Sequence, residues 1–234
     1  MKSVLAVVIF VGLSSTALAG GADDPLLYKV MIDKLELGNT SGPNTLVLDA
    51  DADAWVGYDL NKFWFKTDVE RVDGNTEEAE VQFLYSRAIA PFWDFQAGWR
   101  HDIKPKPTRD YLALGFKGLS PYQFDVDAGL FVGESGQVNA RLDVEYEYLL
   151  TQKLILSPEL EVNLYSRNDA EMGIGSGLSD VELGLRLRYE IRREFAPYIG
   201  VNWTRKFGQT ADFARADGED TSDVQFVAGI RVWF

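Results

Sequence analysis

Residues 46–60 read Leu46-Val47-Leu48-Asp49-Ala50-Asp51-Ala52-Asp53-Ala54-Trp55-Val56-Gly57-Tyr58-Asp59-Leu60. Leu46, Leu48, Ala50, Ala52, Ala54, Val56, Tyr58 and Leu60 carry no charge, and Asp49, Asp51, Asp53 and Asp59 fall only between them. Successive side chains of an extended chain point to opposite sides, so a two-residue period makes one apolar face and one acidic face. A helix would scatter the same aspartates around its circumference. The stretch is a strand.

The period recurs along most of the chain. Val138, Ala140, Leu142, Val144, Tyr146 and Tyr148 alternate with Asn139, Arg141, Asp143, Glu145 and Glu147. Val181, Leu183, Leu185, Leu187, Tyr189 and Ile191 alternate with Glu182, Gly184, Arg186, Arg188 and Glu190. Twelve segments of this kind are read, at about 27–37, 45–60, 62–72, 78–89, 92–103, 109–119, 121–133, 137–149, 153–165, 179–191, 195–207 and 222–234. Their connections alternate in length. Short ones lie near Asn61, Pro91, Ser120, Thr151 and Arg193; longer or more polar ones occupy 38–44, 73–77, 104–108, 134–136, 166–178 and 208–221. The last two, rich in Gly, Asp, Glu and Ala, are expected to be solvated loops.

Alternation by itself suits a soluble β-sandwich as well as a membrane barrel. The strand number is even, and the turns alternate short and long, as in outer-membrane barrels. The strands are long enough for a tilted bilayer span. Aromatics gather at the short-turn ends, at Tyr58, Phe63, Trp93, Phe116, Tyr122, Tyr148, Tyr189 and Phe195, where an interfacial girdle belongs. The chain closes on Val227-Ala228-Gly229-Ile230-Arg231-Val232-Trp233-Phe234, which resembles the terminal strand of such barrels. The expected fold is all-β, a transmembrane antiparallel up-and-down β-barrel of about twelve strands, with outer-membrane lipid as its solvent. Pro158 lacks the N–H a ladder needs, and a local bulge is expected there.

Composition narrows the function. Of 234 residues, 23 are Lys or Arg and 36 Asp or Glu, a net charge of −13 that argues against a nucleic-acid partner. Cysteine is absent, and one histidine cannot build a multi-histidine metal site. Residues 1–19 begin Met-Lys-Ser, continue as an apolar run from Val4 to Leu13, and end Ala17-Leu18-Ala19. That order describes a cleavable secretory signal. The expected organisation is a signal at 1–19, a short periplasmic lead at 20–26 and a barrel over 27–234, located in the outer membrane of a Gram-negative bacterium.

Twelve strands spaced ~4.8 Å apart and tilted ~40° enclose a backbone radius of roughly 12 Å, leaving at most a narrow bore between inward side chains. By parity the inward acids include Asp49, Asp51, Asp53, Asp68, Glu70, Glu78, Glu80, Asp94, Asp125, Asp127, Asp143, Glu145, Glu147, Glu159, Glu161 and Glu182. The inward bases are fewer: Lys29, Lys66, Arg100, Lys117, Arg141, Arg186, Arg188, Lys206 and Arg231. Two readings stand. One is a wet salt-bridge network that stiffens the wall and plugs it, and the other is a cation-attracting lumen.

Several strings are similar to signatures of the copper-resistance protein B family. They are Leu84-Tyr85-Ser86-Arg87-Ala88-Ile89-Ala90-Pro91-Phe92-Trp93-Asp94, Ala54-Trp55-Val56-Gly57-Tyr58-Asp59, Leu183-Gly184-Leu185-Arg186-Leu187-Arg188-Tyr189-Glu190 and Arg193-Glu194-Phe195-Ala196-Pro197-Tyr198. The likeness runs from about Tyr28 to Phe234. It implies an outer-membrane barrel in copper tolerance, with copper ions as ligand or substrate. It also implies work beside periplasmic copper proteins, a multicopper oxidase or other copper-resistance proteins among them. Members of the family commonly carry a Met- and His-rich segment ahead of the barrel, whereas Gly20 to Leu27 holds neither residue.

Soft or imidazole ligands after the signal reduce to Met31, His101 and Met172, the candidate copper ligands. Each also has a structural reading, methionine as filler and His101 as a rim residue beside Trp99 and Asp102. Catalysis is not expected. His101 and Asp102 face opposite ways, Asp49, Asp51 and Asp53 have no inward histidine beside them, and Gly173-Ile174-Gly175-Ser176-Gly177 lacks the lysine and strand-to-helix setting of a phosphate loop. No cofactor-binding or catalytic residue is assigned.

Overall fold

In the computed structural model, residues 24–39, 45–134 and 136–234 are described; the expected signal and residues 20–23 of the expected lead lie outside them. All twelve expected segments are strands. They are β1 (Leu27–Asn39), β2 (Leu46–Gly57), β3 (Asn61–Val72), β4 (Asn75–Ala90), β5 (Trp93–Lys104), β6 (Arg109–Leu119), β7 (Phe124–Gly133), β8 (Val138–Tyr146), β9 (Tyr148–Leu149), β10 (Leu154–Tyr165), β11 (Gly177–Tyr189), β12 (Phe195–Lys206) and β13 (Ser222–Trp233). β8 and β9 are two pieces of one stave, so the thirteen pieces make a twelve-stave wall. Each stave pairs antiparallel with the next, and β13 returns to β1, with Met31 opposite Trp233 and Asn39 opposite Phe226. The barrel is closed.

The pattern of burial is the reverse of a soluble sandwich. On β6, Leu112 is 56% exposed while Tyr111 and Ala113 on either side of it are 4% and 2% exposed. Phe63, Ile199 and Phe226 likewise stand outward and open. Apolar side chains that line the outside of a closed wall are solvated by hydrocarbon. At the short-turn end, Tyr58, Phe63, Phe116, Tyr122, Tyr148, Tyr189 and Phe195 are exposed and Trp93 half-buried. They form the girdle at the membrane boundary.

Three local features differ from expectation. The segment 73–77 is not a long connection. Asp73 and Gly74 alone make the turn, at φ 50° and 82°, and β4 starts at Asn75. Two left-handed residues suit a two-residue hairpin, for which Asp-Gly is a favoured pair. The acidic run beyond it belongs to the strand, with Glu77 the extra residue of a bulge between the pairs Glu70–Glu78 and Arg71–Thr76.

The segment 208–221 is not an irregular loop, since Gly208–Asp217 form a helix, α1. Thr210, Ala211 and Ala214 make its small buried face. Thr210 Oγ1 accepts from the Gly175 N–H at 2.8 Å and lies 3.0 Å from Ser179 Oγ. A Cβ on Gly175 would stand 2.4 Å from the Thr210 nitrogen, so the close docking of α1 needs glycine there. Gly218, left-handed at φ 82°, ends the helix.

Pro158 makes no bulge. Leu156 faces Tyr148 and Glu159 faces Glu145, so the register passes the proline unchanged. Its partner stave breaks instead, at Glu147 between β8 and β9. The ladder on the other side, Pro158 opposite Leu185, keeps its register from Leu154 to Asn163. A missing donor interrupts pairing without demanding an extra residue.

Candidate functional site in the barrel lumen

The inward faces divide the lumen in two. On β4, β6 and β7, Leu84, Tyr111, Ala113 and Phe131 form a buried apolar cluster, with Trp64 of β3 packed against it. The Arg100 guanidinium lies 4.5 Å from the Phe131 ring centre and 5.6 Å from that of Tyr111. One side of the bore is therefore filled. The rest is charged, and between the two sides lies a cavity of about 260 Å³ that Trp64, Leu84, Ala113 and Phe131 also line.

Asp51, Asp53, Asp68, Glu80, Asp125, Asp127, Asp143, Glu145, Glu159 and Glu161 line this cavity, with Lys29, Lys66, Lys117, Arg141 and Arg231. The remaining expected acids sit above or below it. Asp49 and Glu70 are cross-strand partners. Asp94 pairs with Lys62 at 3.2 Å and accepts from Ser86 at 2.9 Å. Glu147 meets Arg188 at 2.5 Å and Arg231 at 3.2 Å. Glu182 accepts from Asn202 at 2.7 Å. Lys206, at the long-loop end, pairs with Glu219 at 2.8 Å.

Parity along β1 slips at Asp33. Ile32 faces Ala52 and Lys34 faces Asp51, leaving Asp33 as an extra residue. Lys29, Met31 and Asp33 point inward below the slip; above it Leu35 and Leu37 are exposed, while Glu36 is 1% exposed. Lys34 and Glu36 are thus lumen residues that the parity count above omits. The signal for them is a three-residue gap, Ile32 to Leu35, in an otherwise even apolar row.

Ion pairs cross the bore between strands far apart around the wall. Lys34 of β1 reaches Glu159 of β10 at 2.5 Å, and Arg186 of β11 holds both Glu159 and Glu36 at 2.5 Å. Arg231 of β13 meets Asp33 on the adjacent strand β1 at 2.6 Å and, across the bore, Glu147 at 3.2 Å. Lys66 of β3 reaches Asp127 of β7 at 2.6 Å, where Lys117 joins at 3.1 Å. Arg141 of β8 reaches Glu80 of β4 at 3.1 Å, beside Arg100 at 2.7 Å.

A second set of acids has no such partner. Asp51 faces Asp68, Asp49 faces Glu70, and Glu70 faces Glu78, across β2, β3 and β4. Asp53 continues the row on β2. None of these six has a Lys or Arg nitrogen within 4.0 Å among the described residues. Like charges side by side on a wet wall repel one another and raise the local concentration of cations.

The three candidate soft ligands do not converge. Met31 lines the lumen cavity, its Sδ 3.9 Å from Arg231 Nη2. His101 stacks on Trp99 with ring centres 5.5 Å apart, in an outward row continued by Phe83 and Phe65. Its polar partner is Asp110 on the next strand, not Asp102: His101 Nδ1 lies 2.8 Å from Asp110 Oδ1, which also accepts from Trp99 Nε1 at 2.9 Å. Asp102 points inward to Arg100 at 2.7 Å. Met172 lies in the loop after β10. Among the described residues no three His, Asp or Glu side chains are grouped to hold a metal ion.

That loop leans over the mouth. Asp169 and Glu171 meet Arg109 of β6 at 3.1 and 3.2 Å, and a small bridge between Asp169 and Ile174 closes the tip.

A closed twelve-stave wall with a polar bore and an apolar exterior defines an outer-membrane β-barrel. The NanC porin matches with a TM-score of 0.60 at 14% identity, over 85% of this chain and 98% of that one. The KdgM porin matches at 0.53 and 11%, over 87% and 98%. These likenesses concern the fold. The family model described as Copper resistance protein B precursor (CopB) matches residues 26–234, and the chain belongs to that family. It is 46% identical over 212 residues to Copper resistance protein B of Escherichia coli, covering 91% of this chain and 71% of that protein. Identity is also 46% over 202 residues to the Copper resistance protein B homolog of Pseudomonas syringae pv. tomato, covering 86% and 68%.

Proposed function

We propose that this outer-membrane barrel takes part in copper resistance by moving or sequestering copper ions, with the unpaired lumen acids as the surface that draws the cation in. The observation that carries this reading is the run of Asp49, Asp51 and Asp53 beside Asp68, Glu70 and Glu78, free of basic partners among the described residues. Carboxylate rows favour cations over anions, and oxygen ligands without thiolate or imidazole hold copper weakly enough for it to move on. Copper is here a ligand or substrate, not a catalytic cofactor, and the role is not enzymatic. Met31 is the soft donor placed to meet an ion inside the lumen, and Met172 the one near its mouth. A periplasmic multicopper oxidase and other copper-resistance proteins are the proposed partners.

Replacing Asp49, Asp51 and Asp53 together by Asn tests the reading. Cells carrying the triple variant should lose tolerance on graded copper, and the purified barrel should lose cation preference in a planar bilayer. Tolerance equal to wild type in the variant would end it.

A second reading, a plugged or generally cation-permeable structural barrel without copper selectivity, draws on the cross-bore ion pairs. Equal currents for copper and for zinc, or none for either, would favour it.

A further inference from the structure

Five residues, Asp33, Lys34, Glu145, Glu159 and Arg231, line both the large lumen cavity and a second one of about 20 Å³ beside Arg186, Arg188 and Tyr198. They are the partition between the two. Across it runs one bar, Lys34 to Glu159 to Arg186 to Glu36, each contact at 2.5 Å. Three of its four members are fixed to one another by the Arg186 fork, since Glu36 takes Nε and Nη2 and Glu159 takes Nη1. Lys34 is different. Among the described residues its one ion-pair partner is Glu159, reached by a flexible stem that starts on β1 and ends at β10, four staves round the wall.

The backbone goes out of its way to supply this ammonium. Without the extra residue at Asp33, regular parity from Ile32 would send Lys34 to the lipid side. Its own cross-strand neighbour is Asp51, the middle of the unpaired acid row. An ammonium on a flexible stem therefore sits where the acid row meets the partition.

We propose that Lys34 is a tethered cation that both closes the bar and competes for the acid row, so that a passing metal ion crosses only by displacing its ammonium. Lys34 is then the residue that determines conductance and charge selectivity in this lumen. The inference rests on the reading of the lumen as a cation route.

The test is single-channel recording of the full barrel in planar bilayers under a KCl gradient, after each variant has passed a heat-modifiable gel shift. Lys34→Met should raise conductance several-fold and move the reversal potential toward that of a cation pore. Glu159→Gln should also raise conductance, yet move the reversal potential the other way, because it removes a negative charge instead. Lys34→Arg should keep wild-type values. The chain has no cysteine, so Lys34→Cys gives a rescue: 2-aminoethyl methanethiosulfonate restores an ammonium and should return the current to the wild-type level, in a protein already folded.

Unchanged conductance in Lys34→Met or Lys34→Cys would overturn the proposal. So would reversal potentials that shift the same way in Lys34→Met and Glu159→Gln. Replacing KCl by copper or zinc salts separates the two ideas, since indistinguishable copper and zinc currents through an opened Lys34→Met barrel would count against copper selectivity and leave the bar intact.

Discussion

Arg141 and Glu80 stand on strands four places apart around the wall, yet they share two hydrogen bonds, at 3.1 and 3.2 Å, across the bore. Glu80 is also held by Arg100 and accepts from Gln82 at 2.7 Å, so one carboxylate joins β4, β5 and β8. Replacing it by Gln removes the counter-charge shared by buried Arg100 and half-buried Arg141, and leaves Asp102 to the first and Glu161 to the second. Loss of one partner from a buried pair costs about 3–5 kcal/mol. Because Arg100 and Arg141 each keep a second carboxylate, Glu80→Gln should lower the unfolding free energy by less than that, about 1.5–3 kcal/mol, in a urea titration of the barrel in lipid, with the gel-shift temperature falling in parallel.

The outward rows make a separate prediction about solvent. Leu183, mid-strand on β11, is 44% exposed. An arginine at the bilayer midplane of a barrel costs about 2–4 kcal/mol, whereas the same change on a water-washed surface is nearly free. Leu183→Arg should show that full loss in lipid-based unfolding. A change under about 0.5 kcal/mol would mean that water covers this face.

Close backbone approach sets a third expectation. A Cβ built on Gly98 of β5 would fall 2.0 Å from the Phe83 carbonyl oxygen and 2.8 Å from the Leu84 Cα of β4. No rotamer relieves a clash with backbone, so the two strands must part. Gly98→Ala should destabilise by at least the ~1–3 kcal/mol typical of overpacking and reduce the heat-modifiable fraction recovered from membranes.

The loop over the mouth offers a kinetic readout. Arg109 is its tie to β6 through Asp169 and Glu171. Arg109→Ala should free the tip and speed trypsin cleavage after Arg167 several-fold in intact cells, with barrel stability little changed. Cleavage at the wild-type rate would show that α1 alone holds the loop.

The wall was legible in the sequence because its code is local. A two-residue period, read on Asp49-Ala50-Asp51-Ala52-Asp53, fixes strand and facing together, and lipid outside demands the same alternation on every stave. The pairing of charges was not legible. Whether Asp127 or Asp68 finds a lysine depends on which staves face each other over the bore, and that is set by closure and stagger of the whole sheet. Lys34 and Glu36 were hidden by one extra residue, and α1 by a composition of Gly, Ala and Asp that loops share. The apolar half of the lumen escaped for a plainer reason: Leu84 sits between Gln82 and Ser86, Ala113 and Phe131 sit beside glycines, and only the third dimension gathers them.

The gap in the ladder beside Pro158 has a mechanical meaning. Tyr148 and Leu149 hang below a break with only a two-residue grip on β10, whereas the other interrupted seam, β1 with β13, is paired again on both sides of its gap between Ile32 and Glu36. Strain arriving at the short-turn end would part the cylinder there first, and amide exchange should run fastest at that hem.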